Sequence, residues 1–274
     1  MPRVLITGGT GGLGSELVPR FAAVGYTIRV LSRGPKPHSS DVGWGPSPDE
    51  WAQCDLTTGA GINDAVAGCD LIVHAATGAG RRAKVDIAGT RKLVAAAKAA
   101  STPHLFYISI VGIERIPLGY YKAKLACERM IEDSGVPWSN LRATQFHSLI
   151  DTFTSVLSRL PGVLFLPKAF KFQPVDTGEV AERMVEYAAK GPSGRLPDLG
   201  GPQVLTWGEM AADWLQARGQ RKTIVNLPVF GRIAAGFRNG YNCLPADRHG
   251  TPEHADGKMT WSQWLERKYG GRDG

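Results

Sequence analysis

The chain has 274 residues, 43% hydrophobic and 21% charged, so a packed core is expected, either as one large domain or as a core with a small appendage. No run of about 18 apolar residues occurs, which argues against a membrane-spanning helix. The formal net charge of +7 suits an anionic partner, but Lys and Arg are scattered. The densest groups, Arg81, Arg82 and Lys84, then Arg218, Arg221 and Lys222, form no long block; a solvated basic surface is expected and a nucleic-acid partner is not.

The opening "MPRVLITGG" runs straight into a strand, without an apolar leader or a small-residue cleavage site. Cys54, Cys69, Cys127 and Cys243 are widely and irregularly spaced, which predicts reduced thiols and no metal site. Both features predict a cytoplasmic protein. "RVLITG" reads as a buried strand and "GLGSELVPRFAAVG" as a helix closed by Gly25. "TIRVLSR" is a second strand, followed by a Gly/Pro/Ser-rich loop from Gly34 to Pro48. "WAQCDL" is a third strand, "GINDAVAG" a short helix and "DLIVHAA" a fourth strand. "VDIAGTRKLVAAAKAA" is a helix, "HLFYISI" a fifth strand, "YYKAKLACERMIEDSG" a helix and "PWSNLRA" a sixth strand.

Continuous apolar strands alternating with helices predict a doubly wound α/β fold, with a parallel sheet covered on both faces. After about residue 145 the rhythm changes to helices near 148–160, 177–190, 207–219 and 259–269, with short strands at "GVLFLP" and "TIVNLP". The expected division is a dinucleotide-binding core over residues 1–145 and a small C-terminal substrate lobe over 146–274. That lobe is expected to pack on the core rather than fold alone.

"TGGTGGLG" joins the first strand to the first helix and spaces Gly8, Gly11 and Gly14 as G-x-x-G-x-x-G. Glycines there permit a tight turn, close approach of backbone to pyrophosphate and close helix–strand contact. The N–H groups opening the helix then face the phosphate. The second strand ends in Ser32 and Arg33, where an NAD site carries Asp or Glu for the ribose hydroxyls. An arginine pairs with a 2′-phosphate and a serine adds a hydrogen bond, so NADP(H) is expected over NAD(H).

Tyr120 and Lys124 are four residues apart and share one helix face, which Glu128 continues. Tyr121 and Lys122 lie about 100° and 200° round from Tyr120. Tyr121 with Lys124 is an i,i+3 pair and remains an alternative. A phenol beside an ammonium suits proton transfer to the oxygen of a carbonyl that receives hydride.

These motifs resemble the short-chain dehydrogenase/reductase superfamily, in its extended and atypical branches, closely over residues 3–145 and loosely beyond. "TGGTGGLG" resembles the family's phosphate loop, which implies cofactor contacts from Gly8, Thr10, Gly11, Gly12, Leu13 and Gly14. "CDL" is similar to the strand-end Asp-Leu that contacts adenine, so Asp55 and Leu56 take that place. "DLIVHAA" resembles the fourth-strand segment in which small residues, here Ala75 and Ala76, leave room for a cofactor ribose.

"YYKAKLACE" resembles the catalytic Y-x-x-x-K. The resemblance implies that Tyr120 is the general acid or base, that Lys124 lowers the phenol pKa and binds the nicotinamide ribose, and that Ser109 holds the substrate oxygen. "LRATQFH" and "FQPVDTGEVA" resemble segments of the NmrA-like, NAD(P)H-binding branch, in which Phe146 and Gln173 would line the substrate pocket; His147, which follows the sixth strand, is either a substrate contact or a loop histidine. That branch contains reductases and also members that bind cofactor without known catalysis. Two departures stand out: a short loop from Ser109 to Tyr120, and Asp86 where relatives carry Asn.

His74 lies within a buried strand and is expected to be packed and hydrogen-bonded rather than catalytic. The resulting expectation is an NADP(H)-dependent oxidoreductase of a small carbonyl, alcohol or activated alkene. An NADP(H)-binding sensor without turnover and an enzyme like the nucleotide-sugar epimerases are the alternatives. The partners expected are a small-molecule substrate and no membrane; the sequence leaves the oligomeric state open.

Overall fold

The computed structural model describes residues 1–38, 42, 44, 47–78, 83–245 and 254–270, with the side chains of 83 and 84 left out. The elements run β1 (Arg3–Thr7), α1 (Gly12–Ala23), β2 (Thr27–Ser32), β3 (Glu50–Gln53), α2 (Ile62–Val66), β4 (Leu71–His74) and α3 (Ala83–Ala99). They continue with β5 (Leu105–Ile110), α4 (Gly119–Glu132), β6 (Trp138–Ala143), α5 (His147–Leu157), β7 (Val163–Leu166) and β8 (Lys171–Phe172). The last are α6 (Thr177–Ala188), β9 (Gly194–Arg195), β10 (Leu205–Thr206), α7 (Trp207–Ala217), β11 (Thr223–Asn226), α8 (Arg232–Arg238) and α9 (Trp261–Tyr269).

These elements form two compact units. The first holds Met1–Ser109, Gly119–Arg142 and Val180–Pro197; the second holds Ile110–Leu118, Ala143–Glu179 and Asp198–Gly274. Neither unit is one continuous stretch of chain.

The first unit is built on a seven-stranded sheet in the order β3-β2-β1-β4-β5-β6-β9. Its strands are short apolar runs buried along their length, as a sheet covered on both faces requires: all of β4 and all but the first residue of β1 are buried. Val4 lies opposite Ile28 on one side and Leu71 on the other, in parallel register. The connections diverge between β1 and β4. In open parallel sheets the crevice at the carboxyl ends of two such strands is where ligands bind. This Rossmann-like architecture is the expected doubly wound fold.

Two details differ from the sequence reading. The third strand, expected to run to Leu56, ends at Gln53. There the Asp55 carboxylate accepts the Thr57 backbone N–H at 2.8 Å and turns the chain, leaving an isolated bridge to Ala60. Helix α8 and the two-residue strands β8, β9 and β10 are also additions, too short to leave a periodic signal.

The second unit has its own core around Trp207, Trp214, Trp261 and Trp264. Three of these indoles donate their N–H inside that core: Trp207 to Thr154 Oγ1 (3.0 Å), Trp261 to the Met210 carbonyl (3.0 Å) and Trp214 to Asp151 (2.6 Å). The two strands read from "GVLFLP" and "TIVNLP" pair with each other in parallel, Val163 opposite Thr223. Helices α7 and α9 begin in capping boxes, Thr206 with Glu209 and Thr260 with Gln263. All four cysteines are buried and free, and no helix among the described residues is long and apolar enough to cross a membrane.

Candidate cofactor and proton-transfer site

The glycine loop closes tightly on itself. Gly11 N–H donates to the Gly8 carbonyl at 2.9 Å, and Gly8 has φ of +75°. A Cβ on Gly8 would sit 2.8 Å from the Ala76 backbone, and one on Gly14 would sit 2.1 Å from Gly8 O. The helix therefore starts as close to the strand ends as backbone permits.

A Cβ on Gly12, by contrast, would meet nothing within 4 Å. Helix α1 has Gly11 at its N-cap, no side-chain cap and no acidic residue in its first turn. Its leading N–H groups and dipole are left for an anion on the open side. Open backbone donors beside a close-packed turn fit a dinucleotide pyrophosphate. Thr10 is exposed and Leu13 buried; Ala75 and Ala76, at the end of β4, are half-buried. On the loop after β2, the buried Trp44 donates its indole N–H to Gly9 O at 3.3 Å, a contact that no spacing in the sequence signals.

At the end of β2, Ser32 is half-buried and Arg33 exposed. No carboxylate occupies these strand-end positions. Hydrogen bonds from Thr57, with the charges of Arg33 and Lys92, hold the Asp55 carboxyl below its usual range. Arg33 is thus near Asp55, at the edge expected for the adenosine half of a dinucleotide. Leu56 is half-buried against Gly89 of α3.

The N-terminal turn of α4 brings Tyr120 to the loop after β4. Tyr120 is half-buried, and its hydroxyl lies 3.0 Å from Thr77 Oγ1 on the loop after β4. Thr77 Oγ1 donates to Asp86 Oδ2 at 2.9 Å, and the Gly78 N–H donates to Asp86 Oδ1 at 2.7 Å. Burial raises the Tyr120 phenol above its ordinary value; the Thr77 bond opposes this, and Asp86 and Cys127 add to it. The sequence reading missed Thr77. The available signal was a hydroxyl residue one position beyond the two alanines that end the fourth strand.

One turn further on, Lys124 is 4% exposed. Its ammonium donates to the Ile108 carbonyl at 2.6 Å and lies 4.2 Å from the centre of the Tyr107 ring. Burial lowers its pKa to about 8. Tyr120 and Lys124 share a helix face as expected, and Tyr121 is buried while Lys122 is exposed. The expected depression of the phenol by Lys124 is corrected here: the phenol is raised, because burial dominates and the nearest carboxylate is Asp86.

Ser109 is 3% exposed and its hydroxyl makes no hydrogen bond of standard geometry, although it lies close enough to Glu128 to stabilise that carboxylate. Glu128 forms a buried bidentate pair with Arg142, Nε to Oε1 at 2.8 Å and Nη2 to Oε2 at 2.5 Å. Burial alone would raise Glu128; Arg142, Ser109 and Asn140 together hold it below its usual value.

His74 is packed between two hydroxyls, Nδ1 at 2.8 Å from Thr7 Oγ1 and Nε2 at 3.0 Å from Thr90 Oγ1. Thr90 donates to Cys127 Sγ, so its oxygen accepts from His74 Nε2–H, and Nδ1 accepts from Thr7. Thr7 Oγ1 in turn receives the Ala76 N–H at 3.1 Å. Burial lowers His74 to about 3, so the ring stays neutral and fixes the strand end that carries Ala75 and Ala76.

Phe146, His147 and Gln173 belong to the second unit. Phe146 is half-buried. His147 is 1% exposed and stacks on Trp261 and Trp264 at 5.9 and 5.7 Å between ring centres. Gln173 is fully buried, donating to Gly201 O and accepting the Leu244 N–H. His147 and Gln173 therefore present no surface to a small molecule in this arrangement. Arg81 and Arg82 lie outside the described residues.

Comparison with known proteins agrees with the glycine loop. A family model described as NAD(P)H-binding matches residues 8–157. Quinone oxidoreductase 2 of Escherichia coli is 24% identical over 232 residues, covering 82% of this chain and 77% of that protein. The crystal structure of Escherichia coli NADPH-dependent quinone oxidoreductase QOR2 in complex with NADPH superposes with a TM-score of 0.76 at 19% identity, covering 97% of this chain and 99% of that one. An uncharacterized Mycobacterium tuberculosis protein, Rv2047c, is 26% identical over 237 residues, and the chain spans about a quarter (25%) of its length. The chain belongs to the NAD(P)H-binding family, in the extended, NmrA-like branch of the short-chain dehydrogenases/reductases.

Proposed function

We propose that the chain is an NADP(H)-dependent oxidoreductase acting on a small carbonyl, alcohol or activated alkene, with Tyr120 as the proton-transfer group. The observation that carries this reading is the half-exposed Tyr120 hydroxyl, bonded to Thr77, in the unit that also holds the glycine loop. The N–H groups of Gly12 and Leu13 at the start of α1 would hold the pyrophosphate, with the Gly11 N–H kept inside the turn by Gly8 O, and Ser32 and Arg33 would hold the 2′-phosphate. Asp55 and Leu56 would flank the adenine, and Ala75 and Ala76 leave space for the ribose. Bound there, a reduced nicotinamide supplies hydride. A phenol raised above its ordinary value is protonated at neutral pH, as a donor to the developing alkoxide must be. A quinone is a small carbonyl compound, so the named activity of the Escherichia coli relative supports the substrate class.

Lys124 favours a second reading, a cofactor-binding protein without turnover, because its ammonium is committed to Ile108 O rather than to Tyr120. Two measurements separate the readings. NADPH should bind at least about tenfold more tightly than NADH, a difference that Arg33→Ala abolishes; equal affinities would overturn the Arg33 assignment. Tyr120→Phe should cut quinone or carbonyl reduction by about 10²–10⁴-fold while leaving the NADPH dissociation constant unchanged. Undiminished turnover in that variant defeats the catalytic reading.

A further inference from the structure

We infer that Asp86, acting through Thr77, is the proton terminus of Tyr120, and that its ionisation sets the direction in which this hydrogen-bond chain runs. The inference deepens the proposed function and rests on its use of Tyr120.

A hydroxyl has one hydrogen and can accept as well as donate; an ionised carboxylate only accepts. With the Thr77 hydrogen on Asp86 Oδ2, the 3.0 Å contact with Tyr120 is one in which the protonated phenol donates; only towards an ionised phenol does Thr77 turn its hydrogen, which is how this bond opposes the rise of the phenol. The order is Tyr120 O–H to Thr77 O–H to Asp86. Asp86 Oδ1 is held by the Gly78 N–H, which fixes the carboxylate so that Oδ2 faces Thr77. The other groups facing these side chains are Cys127 and Lys124 on α4 and Tyr107 on β5. None offers Thr77 or the Tyr120 hydroxyl a competing hydrogen bond among the described residues.

In this order the chain is set to receive a proton. A nicotinamide held by the glycine loop would take the hydride when an alcohol is oxidised, and the alcohol O–H proton goes to Tyr120. The Tyr120 proton passes to Thr77 and that of Thr77 to Asp86. The products are the carbonyl, the reduced cofactor and a neutral Asp86. Reduction runs the same path backwards from a protonated Asp86, which then donates to Thr77, Thr77 to Tyr120, and Tyr120 to the substrate oxygen. Asp86 touches no reacting atom and is a positioning residue. An asparagine at 86 can donate to Thr77 but cannot take up the proton.

The test combines pH–rate profiles in both directions with a spectroscopic titration. Thr77→Val keeps the Asp86–Gly78 bond and breaks the chain; it should slow alcohol oxidation about 10–100-fold. Thr77→Ser should restore the rate, and the NADPH dissociation constant should not change in either variant. Asp86→Asn should slow alcohol oxidation as Thr77→Val does, with the NADPH dissociation constant unchanged.

The cofactor-free readout is the phenolate absorbance of Tyr120, taken as the difference from a matched Tyr120→Phe protein. With Asp86→Asn the phenol should titrate at lower pH than in the native chain. An unchanged pH profile in Thr77→Val, or an unchanged phenol titration in Asp86→Asn, overturns the inference. Full activity in Tyr120→Phe would instead overturn the functional reading, and the titration would still decide how the chain is ordered.

Discussion

Each unit of the molecule has an aspartate tied to a tyrosine hydroxyl, and the two are built differently. In the first, Asp86 is half-buried and reaches Tyr120 through the exposed Thr77. In the second, Asp151 is 6% exposed and takes its donors directly: Trp214 Nε1 at 2.6 Å, Tyr269 Oη at 2.5 Å and Lys268 Nζ at 2.7 Å. Burial pushes the Asp151 carboxyl up, but these three donors outweigh it and hold it below its usual value. All three partners of Asp151 donate to it from other helices, so the carboxylate fastens α7 and α9 to α5. Asp86 faces a hydroxyl that can reverse its role. Saturation by three donors in a packed core makes a carboxylate structural, and an exposed hydroxyl beside a half-buried phenol leaves it able to move a proton.

The largest expected effect follows from removing the saturated member. Asp151→Ala strands the Trp214 N–H in the core, takes from the Tyr269 hydroxyl the acceptor of its hydrogen, and leaves Lys268 without its counter-ion. Breaking a buried pair costs about 3–5 kcal/mol, and Lys268 is 43% exposed and can turn to water, so about 3 kcal/mol is expected. The check is the urea midpoint of unfolding. A loss below about 1 kcal/mol would break the contrast from this side.

The same core should also be sensitive to acid. His147 packs beside Trp261 and Trp264, which also contact each other, and burial lowers it to about 4, with Asp176 and the Val175 backbone opposing the shift and Arg267 adding to it. The unfolded histidine titrates near 6.5, so the unfolded chain binds the proton more tightly between those values. The stability contributed by the neutral ring is therefore complete above pH 6.5 and is lost as pH falls towards 4. The slope is about 1.4 kcal/mol per pH unit from this group, and the full loss about 3 kcal/mol. Chemical denaturation between pH 7 and 4 should show a shallower decline in His147→Phe than in the native chain. Equal slopes would mean that the ring protonates without leaving its place.

The first unit was legible in the sequence because its signals are local. β1 and β4 each carry three consecutive apolar residues, and Gly11 and Gly14 answer to the Gly8 carbonyl within the same short stretch of chain. The shared face of Tyr120 and Lys124 follows from helical geometry alone. What could not be read depends on contacts between distant residues. Tyr120 and Thr77 are separated by 43 positions, and nothing in either segment names the other. Lys124 turns to Ile108 O because its helix packs on β5, a tertiary fact that no spacing carries. In the second unit, His147 suggested a ligand contact by its place after the sixth strand and Gln173 by resemblance, yet their burial is set by α9 and by the loops carrying Gly201 and Leu244.

The smallest expected effect on stability tests the contrast from the other side. Asp86→Asn keeps one oxygen to accept the Gly78 N–H and gains an amide that can donate to Thr77. A half-buried site can also admit water to whatever is left unpaired. The cost should stay below about 1 kcal/mol, the range of a single exchanged hydrogen bond. Asp86→Asn should therefore slow alcohol oxidation at nearly native stability, whereas Asp151→Ala should lose stability at all pH values where the carboxylate is ionised. Urea unfolding of both variants at pH 7, beside their pH–rate profiles, reads the two quantities separately. If Asp86→Asn unfolds as easily as Asp151→Ala, both carboxylates are fasteners. The Thr77 chain would then be a cap on the loop after β4, and its direction would carry no consequence for the proton.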